Sequence, residues 1–163
     1  MEKLTIPDLI TLDQYEGDFE KYNTAVYNIY MTDFMDDKPF FNSKRVKTKA
    51  HPLQDKKEYT YYHLTHDGND ESDRKPNMRR MERIRFPKPF IKNSNHSDIK
   101  VWRNKRCGDK RILLYHQEEK YLVILAERNN YVLLWTAYLV ERDHSERKLL
   151  KEYKAFIKTE TAQ

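Results

Sequence analysis

The sequence predicts an α+β fold: N-terminal helices, a four-stranded antiparallel meander, and a C-terminal amphipathic helix. Three observations predict it. Apolar residues fall at Phe19, Tyr22, Val26, Ile29, Tyr30 and Phe34, and steps of three and four describe a helix with one buried stripe. The runs 99–103, 110–116, 121–127 and 131–138 are rich in β-branched and aromatic residues and are joined by short polar connectors, the mark of consecutive antiparallel strands. Leu149, Leu150, Tyr153, Phe156 and Ile157 then form a second helical stripe.

The elements follow in chain order. A short helical turn is expected around Pro7 to Leu12. Asp18 suits the N-cap of the first long helix, and Asp36-Asp37-Lys38-Pro39 closes it. Phe41 to Lys49 reads as a basic extended segment, and His51-Pro52 marks a loop. The run 58–65, Glu-Tyr-Thr-Tyr-Tyr-His-Leu-Thr, has the content of a strand. His66 to Asp73 is an acidic, turn-forming loop without the alternating oxygen ligands and terminal Glu of an EF-hand. Pro76 to Ile84 suits a helix anchored by Met81 and Ile84, with Pro76 near its first turn. Phe86 to Ile91 contains two prolines and is expected to break regular structure. Asp143 to Glu146 has the pattern of a helix start with Glu at the capping-box position.

With 163 residues the chain is one domain's worth. It divides into a helical part (1–42), a basic irregular and helical segment (43–98), the sheet (99–141) and the last helix (142–158). Aromatics at 13% exclude a disordered polar chain, and three Gly exclude Gly-rich architectures. No apolar run approaches the roughly 20 residues that span a bilayer, and the first residues lack the apolar core of a signal peptide. Cys107 is the single cysteine, which rules out an internal disulfide and a Cys-based zinc site. A cytoplasmic protein without cofactor or metal is the expectation.

Charge is unevenly spread. The net charge is +5, yet Ser43 to Arg111 holds 20 Lys or Arg against 9 Asp or Glu. Such a basic middle gives one face a positive potential suited to phosphate-bearing partners. If Asn129-Asn130 and Glu118-Glu119 are two-residue loops, Arg128 opposes Tyr131, Val123 opposes Thr136, Tyr121 opposes Tyr138, His116 opposes Tyr121 and Leu114 opposes Val123. His116, Tyr121, Thr136 and Tyr138 would then share a face, a grouping that a slip of one residue destroys.

The final strand carries Thr136-Ala137-Tyr138, which resembles the terminal-strand motif of small RNases of the Barnase–EndoU–colicin–RelE superfamily. The order of helices before a meander is similar too, and His63 lies where phage-borne and toxin members carry an early catalytic His. The resemblance spans about Tyr59 to Tyr138 and implies metal-independent RNA cleavage by attack of the 2′-hydroxyl. Both ends of the chain carry helical segments beyond that pattern. Such cleavage needs proton-transfer groups and cations on the phosphate, roles that His and Arg suit. The expected catalytic set is His63, Arg83, Thr136, Tyr138 and His116. Arg79, Arg80, Arg85, Lys88, Arg106 and Arg111 are the expected RNA-binding residues. Arg79 to Arg85 equally suit a solvated face paired to Asp67, Asp70, Glu71 or Asp73, and Trp102 and Trp135 suit core packing or base stacking. The alternatives are a non-catalytic RNA- or DNA-binding module and a phage or mobile-element factor that binds a host or inhibitor protein. No H-E-x-x-H spacing, Gly-rich phosphate loop or nucleophile elbow is present.

Overall fold

The computed structural model describes residues 2–68, 70 and 73–162. A 3-10 turn (Leu12–Tyr15) leads into α1 (Phe19–Met31), which runs on through a π-helical turn (Thr32–Asp36). Then come β1 (Phe40–Phe41), β2 (Lys44–Lys47), α2 (Tyr59–Thr65), β3 (His66–Asp67), β4 (Lys75–Pro76), α3 (Met78–Glu82) and α4 (Pro87–Lys92). The second half holds β5 (Ile99–Arg106), β6 (Asp109–His116), β7 (Tyr121–Glu127), β8 (Tyr131–Leu139) and α5 (Asp143–Ala162). No helix among the described residues is long and apolar enough to cross a membrane.

The fold class is α+β, but the sheet is not a four-stranded meander. It is a mixed six-stranded sheet in the order β1-β2-β8-β7-β6-β5. The four later strands pair antiparallel with their chain neighbours, and β2 from the basic segment adds in parallel to β8. Val46, the one apolar residue of β2, explains the addition: it pairs with Val132, and both are fully buried. β5 and β6 turn through Cys107-Gly108, where both residues have positive φ, 51° and 79°, the geometry of a tight hairpin turn that Gly accommodates without strain.

Two apolar layers flank the sheet. On the helical face, Ile112, Leu114, Tyr121, Val123, Leu125, Val132, Leu134 and Ala137 join Tyr22, Val26, Tyr30, Leu64, Met81, Phe86 and Phe90 in the main core. On the outer face, Trp102, Leu113, Tyr115, Leu122 and Ile124 pack under Leu149, Leu150, Tyr153 and Phe156 of α5. Two carboxylates pin α5 there. Glu146 accepts from the Tyr115 hydroxyl at 2.5 Å and from Lys120 at 3.1 Å, and Glu152 accepts from Trp102 Nε1 at 2.7 Å. These hydrogen bonds hold the Glu146 carboxyl below its ordinary value. Glu146, expected to serve a capping box, therefore binds the sheet instead.

Several local expectations are corrected. Residues 59–65 are helical, not a strand: Thr60, Tyr61, Leu64 and Thr65 are the buried set, a helical spacing imposed by packing on β8 over the residues' own β preference. Pro87 and Pro89 do not break the chain; Pro87 opens α4, where a missing N–H costs nothing. The early turn lies at Leu12–Tyr15, and the helix expected over Pro76–Ile84 is the shorter α3, with the Asn77 side chain accepting from the Arg80 amide. Asp18 caps α1 as expected, accepting from Lys21.

The central correction concerns register. His116 pairs with Tyr121 and Leu114 with Val123, as expected, and the Arg128 amide bonds the Tyr131 carbonyl. Between Leu125↔Leu134 and Ile124↔Thr136, however, β8 carries one extra residue, Trp135. This β-bulge moves the partners to Val123↔Ala137 and Tyr121↔Leu139. Thr136 and Tyr138 thereby turn to the outer face, while His116 and Tyr121 stay on the helical face.

Candidate nucleic-acid interface

α5 covers only part of the outer face. Beyond Glu152, which also accepts from Asn104 at 2.7 Å, two cross-strand rows stay open toward the β5–β6 turn. One row reads Arg45, Tyr131, Arg128, Asp109, Arg106, and the next reads Lys47, Leu133, Ala126, Arg111, Asn104. The pleat places every member of a row on one face. Five cations thus lie in these rows with one carboxylate among them, Asp109, and Glu152 at their margin on Asn104. Arg128 donates to Asp109 at 3.0 Å, and Arg111 Nε donates to Asn104 at 3.0 Å. Lys47 sits 4.5 Å above the Tyr131 ring and Arg45 5.4 Å from the Phe40 ring, so both cations rest on aromatic faces.

Trp135 stands beside these rows. It is 40% exposed, unusual for so large an apolar side chain, and the alternation of β8 carries it, with Tyr131 and Leu133, to the outer face. On one side it walls a groove of about 630 Å³ lined also by Arg106, Asp109, Arg111 and Arg128. On the other it meets Lys49, Tyr59 and His63. The His63 ring lies 4.3 Å from Tyr59 and 6.3 Å from Trp135, and Lys49 lies 4.4 Å above Tyr59. An aromatic plate between two groups of cations suits a strand whose phosphates and bases alternate.

The expected site residues divide into separate places. His63, Arg106 and Arg111 border this surface. His116 lies on the opposite face, 4% exposed, stacked 5.4 Å from Phe90 and accepting from the Glu119 amide. Thr136 and Tyr138 are on the outer face of β8, Tyr138 beneath the Arg80 guanidinium at 5.2 Å. Arg80 itself is a structural cap: its Nη1 donates to the carbonyls of His63 at 2.9 Å and His66 at 3.2 Å, and burial lowers its pKa. A cation there complements the C-terminal end of α2. Arg83 donates to the Arg79 carbonyl and lies 5.9 Å from Phe86, Arg79 pairs with Glu82, Arg85 donates to the Asp8 carbonyl, and Lys88 binds Asp37 at 2.7 Å. The expected grouping of His116 with Thr136 and Tyr138 is therefore lost to the bulge. The expected basic surface from Arg79 to Lys88 is largely engaged with the protein's own carbonyls and carboxylates. Asp67, one of its expected acidic partners, accepts instead from Asn77, and Glu71, another, lies outside the described residues.

Arg45, Lys47, Lys49, Arg128 and Tyr131 were not among the expected site residues. The alternation in Arg45-Val46-Lys47-Thr48-Lys49 was the available signal: one buried apolar residue flanked by cations at period two. Among the described residues, no group of three or more His, Cys, Asp or Glu side chains could hold a metal ion. Comparisons with protein-family models, curated proteins and solved structures find no match for this chain.

Proposed function

We propose that the chain is a non-catalytic RNA- or DNA-binding module whose contact surface is the open half of the outer sheet face. One observation carries the reading: two adjacent rows bring Arg45, Lys47, Arg106, Arg111 and Arg128 together with Asp109 among them and Glu152 at their margin. Such a density of positive charge, with exposed aromatics interleaved, is the electrostatic footprint of a phosphate backbone. The test is the affinity of the protein for labelled RNA and DNA oligonucleotides at about 50 mM and about 200 mM salt, across which phosphate contacts weaken steeply. Salt-sensitive binding is expected. Failure to bind any oligonucleotide at the lower salt overturns the proposal and leaves a protein-interaction role as the alternative.

A metal-independent endoribonuclease is the second reading. The observation that favours it is the position of His63, whose ring packs with Lys49, Tyr59 and Trp135 on the edge of the same surface. Under the first reading, bound RNA stays intact. Cleavage in excess chelator that His63→Ala abolishes would replace binding with catalysis.

A further inference from the structure

We infer that this face takes single-stranded nucleic acid, with one base stacked on Trp135 and the flanking phosphates held on its two sides. The inference rests on the nucleic-acid reading above and adds the form of the ligand. Trp135 follows Tyr131 and Leu133 onto the outer face by the alternation of β8, and the bulge that begins there keeps Thr136 on the same face beside it. Trp135 walls the groove lined by Arg106, Arg111 and Arg128, and its other side packs against Tyr59 and His63 next to the exposed Lys49. A base lying on the indole would therefore have cations before and after it along the strand.

A duplex does not fit that arrangement. Its bases are stacked on one another and offer the protein only groove edges and backbone, whereas an unpaired base has a free π-face for an aromatic ring. The cationic rows alone would accept either form, since phosphate attraction is independent of strand number. The tryptophan is what makes the surface prefer a single strand. The other tryptophan, Trp102, is fully buried beneath α5, so a ligand that changes indole fluorescence reports on Trp135.

The experiment measures binding of wild type, W135A and W135F to a single-stranded oligonucleotide of mixed sequence and to its duplex, in RNA and DNA versions, with intrinsic fluorescence recorded in parallel. Wild type binds the single strand more tightly than the duplex, and its fluorescence is quenched on binding. W135A loses about tenfold or more in single-strand affinity with little change for the duplex, while W135F retains most of the affinity. Binding of both forms that W135A leaves unaltered overturns the stacking assignment and leaves the cationic face standing. Binding of neither form at low salt overturns the reading on which it rests.

Discussion

Replacing Arg106 and Arg111 together by Gln tests the cationic face most directly. Five cations occupy the two rows, but Arg128 is already paired with Asp109 at 3.0 Å. Four are free to displace counterions: Arg45, Lys47, Arg106 and Arg111. For a single strand, the logarithm of the binding constant falls with the logarithm of salt at about −0.7 per phosphate neutralised, so four contacts give a slope of about −3. Raising salt fourfold then weakens wild-type binding about fiftyfold. In the double variant two contacts remain, the slope falls to about −1.4, and the same change costs only about sevenfold. Arg106 is exposed, while Arg111 is half-buried and donates to Asn104 at 3.0 Å, so a urea midpoint is measured for the variant alongside its binding. Fluorescence anisotropy with a labelled oligonucleotide at four or five salt concentrations gives both slopes. A variant that binds more weakly but keeps the wild-type slope refutes the assignment, because lost affinity would then come from altered structure and not from missing phosphate contacts.

Asp109→Asn is expected to strengthen binding and steepen the salt slope by about 0.7, since it releases Arg128 and removes the carboxylate from the rows; the same titration checks it. Glu152→Ala is expected to destabilise the fold by about 1–3 kcal/mol, because it strips the acceptor from the buried Trp102 indole N–H. Glu152→Gln keeps an acceptor and should cost clearly less, and equal midpoints for the two variants in urea would rule out the hydrogen bond as the cause. Burial pushes the His66 imidazole down to about 4 from its ordinary 6.5. The unfolded chain therefore takes up a proton on this residue between those values that the folded chain does not, so its contribution is complete above pH 6.5 and is lost as pH falls toward 4. His66→Gln should flatten the fall in urea midpoint over that window, and an unchanged pH dependence would show that His66 is not its source.

The helices α1 and α5 and the four later strands are legible because their periodicity is strong and local. Tyr22, Val26 and Tyr30 repeat with the helix, and the Asn129-Asn130 and Glu118-Glu119 connectors set the first pairs beside each turn correctly. What escaped has a common cause in contacts between distant segments. Residues 59–65 have the composition of a strand, and only their packing against β8 selects the helix. The parallel pairing of β2 leaves no turn signature, since its partner lies at the far end of the chain. The bulge at Trp135 interrupts an otherwise regular strand, with neither Gly nor Pro to mark it. Much of the site depended on those hidden features: Arg106 and Arg111 came from charge alone, whereas Arg45, Lys47 and Trp135 needed the sheet to be assembled.

The pairing of β2 with β8 also orders events during synthesis. Arg45 and Lys47 leave the ribosome early, yet their places beside Tyr131 and Leu133 do not exist until the last strand has emerged. Closing so distant a contact is slow compared with forming the hairpins between β5 and β8. The half of the surface made from β5, β6 and β7 is therefore assembled first, and β2 docks as its final piece. A chain halted before residue 131 lacks the strand that β2 docks on, so the share of polyanion affinity carried by Arg45 and Lys47 should appear only once β8 has emerged.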